Sequence, residues 1–168
     1  LGRALERHTS PGESVGLLLP NTAASLGAFF GLSARGRIPA MLNYTSGSAG
    51  LQSACTAAEI HTIISSRAFV EQAKLSKKIE ALGRLRIIYL EDLRKEISLG
   101  DKLWYLLYAR HCPGSFSLNH DHEQAAVVLF TSDSEGAAKG VVLSHRAIMA
   151  NIAQILAVID FTARDKVF

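Results

Sequence analysis

Four short, largely apolar runs, spaced by segments long enough to be helices, set the strongest limit on what this chain can fold into. Ser14 to Leu19, Ile38 to Asn43, His61 to Ser65 and Leu85 to Leu90 are rich in Val, Ile and Leu. Continuous apolar strands, as opposed to in-and-out alternation, mark strands that are covered on both faces. Between them, Ala23 to Ala34 and Ser48 to Glu59 have helical length and many small residues, which lets a helix pack closely on a sheet. Thr22 stands at a capping position, and Gly36 follows the end of the first of these helices. Leu1 to Thr9 leads in as a further helix, with Ser10, Pro11 and Gly12 forming a turn. Strand, helix, strand, helix, strand predicts an α/β fold, a mostly parallel sheet flanked by helices.

At 168 residues the chain can bury roughly two-thirds of its unfolded surface, enough for one domain. The balance of 18 Lys and Arg against 15 Asp and Glu, a net +3, permits an anionic ligand but lacks the clustered charge of a nucleic-acid binder. Cys55 and Cys112 lie far apart without a C-x-x-C spacing, which fits a reducing cytoplasmic setting. No apolar run nears the roughly 20 residues that cross a bilayer, so a soluble segment is expected. The chain opens at Leu1 without a methionine and closes on Val167 and Phe168, which read as the start of another strand. Residues 1–168 are therefore expected to be one piece of a larger domain.

Two segments resist simple placement. Leu99 to Arg110 gathers Leu103, Trp104, Tyr105, Leu106, Leu107 and Tyr108; packing against the core or the rest of a larger protein is the plainer expectation, and contact with a membrane or an acyl chain is the alternative. His111 to Asp121, with Pro113, Gly114, Ser115 and Asn119, reads as a surface connection. His111, Cys112, His120 and His122 could ligate a metal, but their spacing matches no recognised ligand set, so no metal site is expected.

The stretch that carries chemistry follows. Gln124 to Phe130 is a strand by composition; it runs into Thr131-Ser132-Asp133-Ser134-Glu135-Gly136-Ala137-Ala138-Lys139-Gly140, and Val141 to Leu143 forms the next strand. Hydroxyls from Thr131, Ser132 and Ser134, close backbone approach at small residues and the Lys139 ammonium suit a polyphosphate. The spacing is not that of a Walker loop, which needs G-x-x-x-x-G-K-[ST] and a following helix. Ser144 caps a helix continuing through Ala147, Ile148, Ile152 and Ile155, which makes His145 a helix-start residue in preference to a base.

The string from Leu129 to Arg146 resembles the phosphate-loop signature of the adenylate-forming superfamily, Thr-Ser-Gly-[Ser/Thr]-[Thr/Glu]-Gly-x-Pro-Lys-Gly. The resemblance continues upstream through Val15 to Thr22, Gly36 to Thr45 and Tyr89 to Leu93. It implies that, in a phosphate loop spanning residues 129–145, Thr131, Ser132, Ser134, Glu135, Gly136 and Lys139 contact ATP with Mg²⁺ during carboxylate activation. Ile38 to Thr45, the Ser134-Glu135 pair and Ala150 to Ile152 are most similar to the acyl-acyl-carrier-protein synthetase half of bifunctional enzymes that also carry a 2-acylglycerophosphoethanolamine acyltransferase half. That likeness implies a fatty acid, acyl carrier protein and a lysophospholipid as partners of the parent, working at the cytoplasmic face of the bacterial inner membrane. A long-chain acyl-CoA ligase and a non-catalytic nucleotide-binding module are the alternatives. The acyl-site, Thr-Glu, ribose-aspartate and lid-lysine motifs of that superfamily are not in these residues, so no catalytic residue is expected here and the segment alone is expected to be inactive.

Two positions depart from the pattern. Asp133 stands where glycine is usual, and Ala138 where proline is usual. Asp tolerates a left-handed backbone better than most residues, but a carboxylate about 5 Å from a phosphate charge costs about 3 kcal/mol at an effective dielectric near 20. ATP binding weaker than that of a glycine version is expected.

Overall fold

A computed structural model describes residues 1–109, 111, 121–132 and 138–160. Along the chain run α1 (Gly2–Glu6), β1 (Ser14–Leu17), α2 (Ala23–Ser33), β2 (Ile38–Met41), α3 (Ser48–Ala57), β3 (Thr62–Ser65), α4 (Arg67–Gln72), α5 (Ser76–Ala81) and β4 (Arg86–Tyr89). Then come α6 (Leu90–Glu96), α7 (Leu99–Trp104) with a π-helical turn at Tyr105–Ala109, β5 (Ala125–Ser132), β6 (Ala138–Ser144) and α8 (His145–Val158). The six strands form one sheet in the order β4-β3-β1-β2-β5-β6. All neighbours are parallel except β5 and β6, which are antiparallel. The fold is the expected mostly parallel α/β sheet flanked by helices.

The apolar runs are continuous where a strand feeds two cores, one on each face of the sheet. Val15 and Leu17 of β1 join Ala4, Leu5, Ala28, Leu32, Ile64, Ile88 and Leu93 on the side covered by α1, α2 and α6. Leu18, Ala40, Ile63 and Val128 join Leu51, Ala54, Cys55, Phe69, Val70 and Leu82 on the side covered by α3, α4 and α5. Ile63 and Ile64, adjacent in β3 and both fully buried, thus enter opposite cores, as the two-residue period of a strand requires. Gly16 of β1 lies between Ile63 of β3 and Ala40 of β2 in the parallel ladder. A Cβ there would come within 2.8 Å of Leu42 Cδ1 and 3.1 Å of Ile63 Cγ1, so the side chains from β2 and β3 close over a position that only glycine leaves open.

Arg37 is a buried cation at the start of β2. Its Nε donates to Thr9 Oγ1 at 3.0 Å and its guanidinium donates to the carbonyls of Glu6, Thr9 and Arg35. Burial lowers its pKa from the ordinary arginine value, opposed by the nearby carboxylates of Glu6 and Glu13. The side chain ties the end of α1 and the turn after it to the sheet.

Several expectations shift. Thr22 occupies the N-cap position of α2 but caps no backbone N–H; its hydroxyl meets Ser25 Oγ at 3.3 Å, while Ser25 Oγ donates to Pro20 O. Between β3 and β4 the chain forms α4, capped by Ser66, and α5. The helix α6 is not foreseen from its short charged sequence; Glu91 and Asp92 in its first turn and Arg94 and Lys95 in its last match the helix dipole. Leu99 to Arg110 divides into α7, closed by a Ser98–Asp101 capping box, and the π-helical turn. Trp104 in it is half-buried, with the Arg3 guanidinium 4.8 Å above its ring, while Leu99, Leu103, Leu106 and Leu107 are exposed. Of His111 to Asp121 only the two end residues are described, so the surface-connection reading, like Cys112 and His120, lies outside the described residues. Among the described residues no helix is long and apolar enough to cross a membrane.

Candidate functional site

Five parallel strands end at one edge of the sheet, and in open parallel sheets ligands bind beside the carboxyl ends of the strands. The segment expected from its sequence to bind phosphate leaves from that edge. β5 is held against β2 through Ala40↔Val128 and Met41↔Leu129, and it does not stop at Phe130. It continues through Thr131 and Ser132, and β6 begins at Ala138 instead of Val141, with Thr131 opposite Lys139 and Ser132 opposite Ala138. Part of the expected ten-residue loop is therefore paired as the ends of β5 and β6, and residues 133–137 between them lie outside the described residues. Thr131, Ser132 and Lys139 belong to these paired ends, because antiparallel pairing satisfies backbone groups that an open loop would leave to water. Thr131 and Lys139 are exposed. Ser134, Glu135 and Gly136, together with Asp133, lie outside the described residues.

The helix α3 holds the β5–β6 hairpin at Ala138, the first residue of β6. Ser53, part-buried in the middle of α3, accepts a hydrogen bond from the backbone N–H of Ala138 at 3.2 Å. Leu51, Ala54 and Cys55 seat α3 in the core. Burial pushes the Cys55 thiol up to about 11, so it stays protonated and inert. The loop that enters α3 from β2 is fixed as well. Asn43 Oδ1 accepts from the N–H and the hydroxyl of Thr45, at 2.9 and 2.8 Å, and Lys78 Nζ of α5 donates to the carbonyls of Tyr44 and Ser46 at 2.8 and 2.7 Å. Tyr44 also stands edge-on to Phe69 at 5.2 Å.

Farther along the same edge, Ser65 Oγ donates to Leu18 O at 2.8 Å, and Arg67 makes two hydrogen bonds, of 2.8 and 2.6 Å, to Asp92 while lying over the Tyr89 ring. That guanidinium holds the Asp92 carboxyl below the usual range. Ser144 caps α8, its Oγ accepting from Ala147 N at 3.2 Å, and His145 is the first helical residue, its N–H donating to Gln124 O. Among the described residues no three His, Cys, Asp or Glu side chains are grouped to hold a metal.

Ser53 and Lys78 are the supports that sequence reasoning missed. Nothing marks Ser53 beyond a hydroxyl in mid-helix. The available signal is Ala138, which carries an N–H where the usual proline has none and so needs an acceptor. What the edge assembles is a hydroxyl-bearing and ammonium-bearing hairpin on a rigid base, open to solvent, which can hold a polyphosphate.

Comparison with known proteins follows the same lines. The family described as AMP-binding enzyme matches residues 1–168. The structure of VinN with 3-methylaspartate superposes with a TM-score of 0.74 at 21% identity, over 98% of this chain and 44% of that one. o-Succinylbenzoate CoA synthetase from Bacillus subtilis, in complex with its acyl-adenylate intermediate, gives 0.71 at 16% identity, over 98% and 38%. McyG A-PCP with phenylalanyl-adenylate gives 0.73 at 22%, over 98% and 25%. The chain thus spans less than half the length of these solved structures.

Proposed function

The chain belongs to the AMP-binding enzyme family along its whole length, and we propose that it forms the ATP-binding part of the N-terminal domain of an acyl-adenylate-forming ligase. The observation that carries this is the hydroxyl-rich β5–β6 hairpin standing at the carboxyl edge of the parallel sheet in a chain of that family. Thr131, Ser132, Ser134, Glu135, Gly136 and Lys139 are the proposed phosphate contacts. Lys139 and the backbone N–H groups of the tip would steady negative charge as pyrophosphate leaves. Mg²⁺ would arrive with ATP, since it is bound largely through substrate phosphates and water.

In the first half-reaction a carboxylate oxygen attacks the α-phosphorus of ATP, giving an acyl-adenylate and pyrophosphate. A thiol then takes the acyl group and AMP departs. The substrate is proposed to be a fatty acid and the thiol that of acyl carrier protein, on the strength of the likeness at Ile38 to Thr45, Ser134-Glu135 and Ala150 to Ile152. The same likeness supports a parent that also acylates a lysophospholipid at the cytoplasmic face of the bacterial inner membrane, with residues 1–168 as one segment of it. Coenzyme A as acceptor is the second reading, supported by the fold shared with o-succinylbenzoate CoA synthetase.

Fatty-acid-dependent exchange of pyrophosphate into ATP by the complete enzyme tests the adenylation step. Thioester formation with holo-acyl carrier protein in preference to coenzyme A then tests the acceptor. Absence of exchange with any carboxylate overturns the ligase reading, and a preference for coenzyme A overturns the carrier-protein reading alone.

A further inference from the structure

We propose that Ser53 is a positioning residue for the phosphate hairpin, a role that rests on the ATP-binding reading above. Its Oγ accepts from the N–H of Ala138 at 3.2 Å. Ala138 is the first residue of β6, paired with Ser132, and is followed directly by Lys139. The hydrogen bond therefore acts at the point where the stem opens into the tip. Among the described residues β6 is the last strand of the sheet, so an N–H of β6 not used by β5 meets no further described strand. The partner comes from a helix instead.

That helix is well held. Leu51 and Cys55 of α3 are 1% and 4% exposed, and Lys78 fixes the loop that leads into it. Serine in mid-helix commonly bonds back to the preceding turn, which weakens the helix; here its oxygen serves the hairpin.

The bond also answers a departure in the sequence. Where proline is usual before the lysine, the ring fixes φ and removes the N–H. Ala138 has the wider freedom and the additional donor, and Ser53 both satisfies the donor and restrains the backbone. Proline is accepted at the first residue of an edge strand, so the two arrangements can be exchanged experimentally.

The test is a double-mutant cycle in the complete enzyme, with Ser53→Ala, Ala138→Pro and the pair, read as KM for ATP, kcat and melting temperature. Loss of one neutral hydrogen bond sets the expected size: Ser53→Ala raises KM for ATP about twofold to tenfold, leaves kcat and the melting temperature near wild type, and Ser53→Thr restores KM. In the Ala138→Pro background Ser53→Ala changes nothing. An unchanged KM in the single variant, an equal rise in both backgrounds, or a lowered melting temperature without a change in KM overturns the role. If the proline variant does not fold, amide exchange at Ala138 decides: faster exchange in Ser53→Ala is expected, and unchanged exchange overturns it. A wild-type enzyme that binds no ATP refutes the nucleotide reading and this role together, whereas ATP binding indifferent to Ser53 refutes only the latter.

Discussion

Thr131 of β5 and Lys139 of β6 face each other across the antiparallel ladder, with the Ser132–Ala138 pair next toward the hairpin tip. Cross-strand partners stand on the same face of a sheet with Cβ atoms about 5 Å apart. A hydroxyl and an ammonium are thereby delivered together to one side of the stem. If this pair grips a phosphate, Lys139→Ala raises KM for ATP about tenfold to a hundredfold, the size of one lost charge-assisted hydrogen bond. Thr131→Val, which keeps the strand and removes the hydroxyl, has a smaller effect in the same direction. Steady-state kinetics with ATP varied check both, and a Lys139→Ala enzyme with wild-type KM removes that residue from the phosphate site.

Asp133→Gly is expected to tighten nucleotide binding. The repulsion of about 3 kcal/mol that a nearby carboxylate imposes on a phosphate is an upper figure, and Mg²⁺ and Lys139 offset part of it. An affinity gain of severalfold by calorimetry is the expected result; equal affinities would show that the carboxylate is directed away from the nucleotide.

Arg37→Met should destabilise the fold without touching the hairpin. The carbonyls of Thr9, Glu6 and Arg35 lose their donor, and stranding buried acceptors of a charged donor costs about 3 kcal/mol or more. Lysine cannot reproduce the forked contacts, so Arg37→Lys recovers only part of the loss. Thermal unfolding of the complete protein measures this, and a melting temperature within a degree of wild type for Arg37→Met contradicts it.

Acid should loosen the α1–α7 junction in a defined window. Asp101 accepts from Arg7 at 2.8 Å and from Ser98 N–H at 3.1 Å, and these bonds, Arg7 first, hold its carboxyl down at about 2. A depressed folded-state pKa contributes stability above the unfolded value of about 3.9, and that contribution is lost as pH falls toward 2. The melting-temperature gap between wild type and Asp101→Asn is therefore expected to be constant from neutral pH to about 5 and to close between about 4 and 2. A gap independent of pH assigns the effect to geometry instead.

The parallel sheet was legible in the sequence because strands covered on both sides cannot hide their continuous apolar character; Ile63-Ile64 and Val15 to Leu18 announce it. Helices that owe their existence to charge placement, such as α6, or to a single cap, such as α4 at Ser66, leave no periodic trace and were not resolved. At the candidate site, composition singled out Thr131, Ser132 and Lys139 as candidates, while the pairing of Thr131 with Lys139 was not visible, since a β-ladder is a relation between two segments and neither encodes its partner's register. Ser53 was invisible for the same reason: its significance depends on Ala138, 85 positions away.

The reversal from parallel to antiparallel at β5 separates two kinds of evolutionary constraint. Residues that hold the fold, such as Val15, Leu18, Ile63, Leu51 and Val128, are sealed inside, whereas Thr131, Lys139, Val141 and Val142 are open to solvent on the described chain. If the proposed nucleotide site is correct, substitutions between Thr131 and Lys139 can change affinity with little effect on folding. Asp133 and Ala138, two unusual residues in an otherwise conventional frame, are the kind of change such a division of labour tolerates.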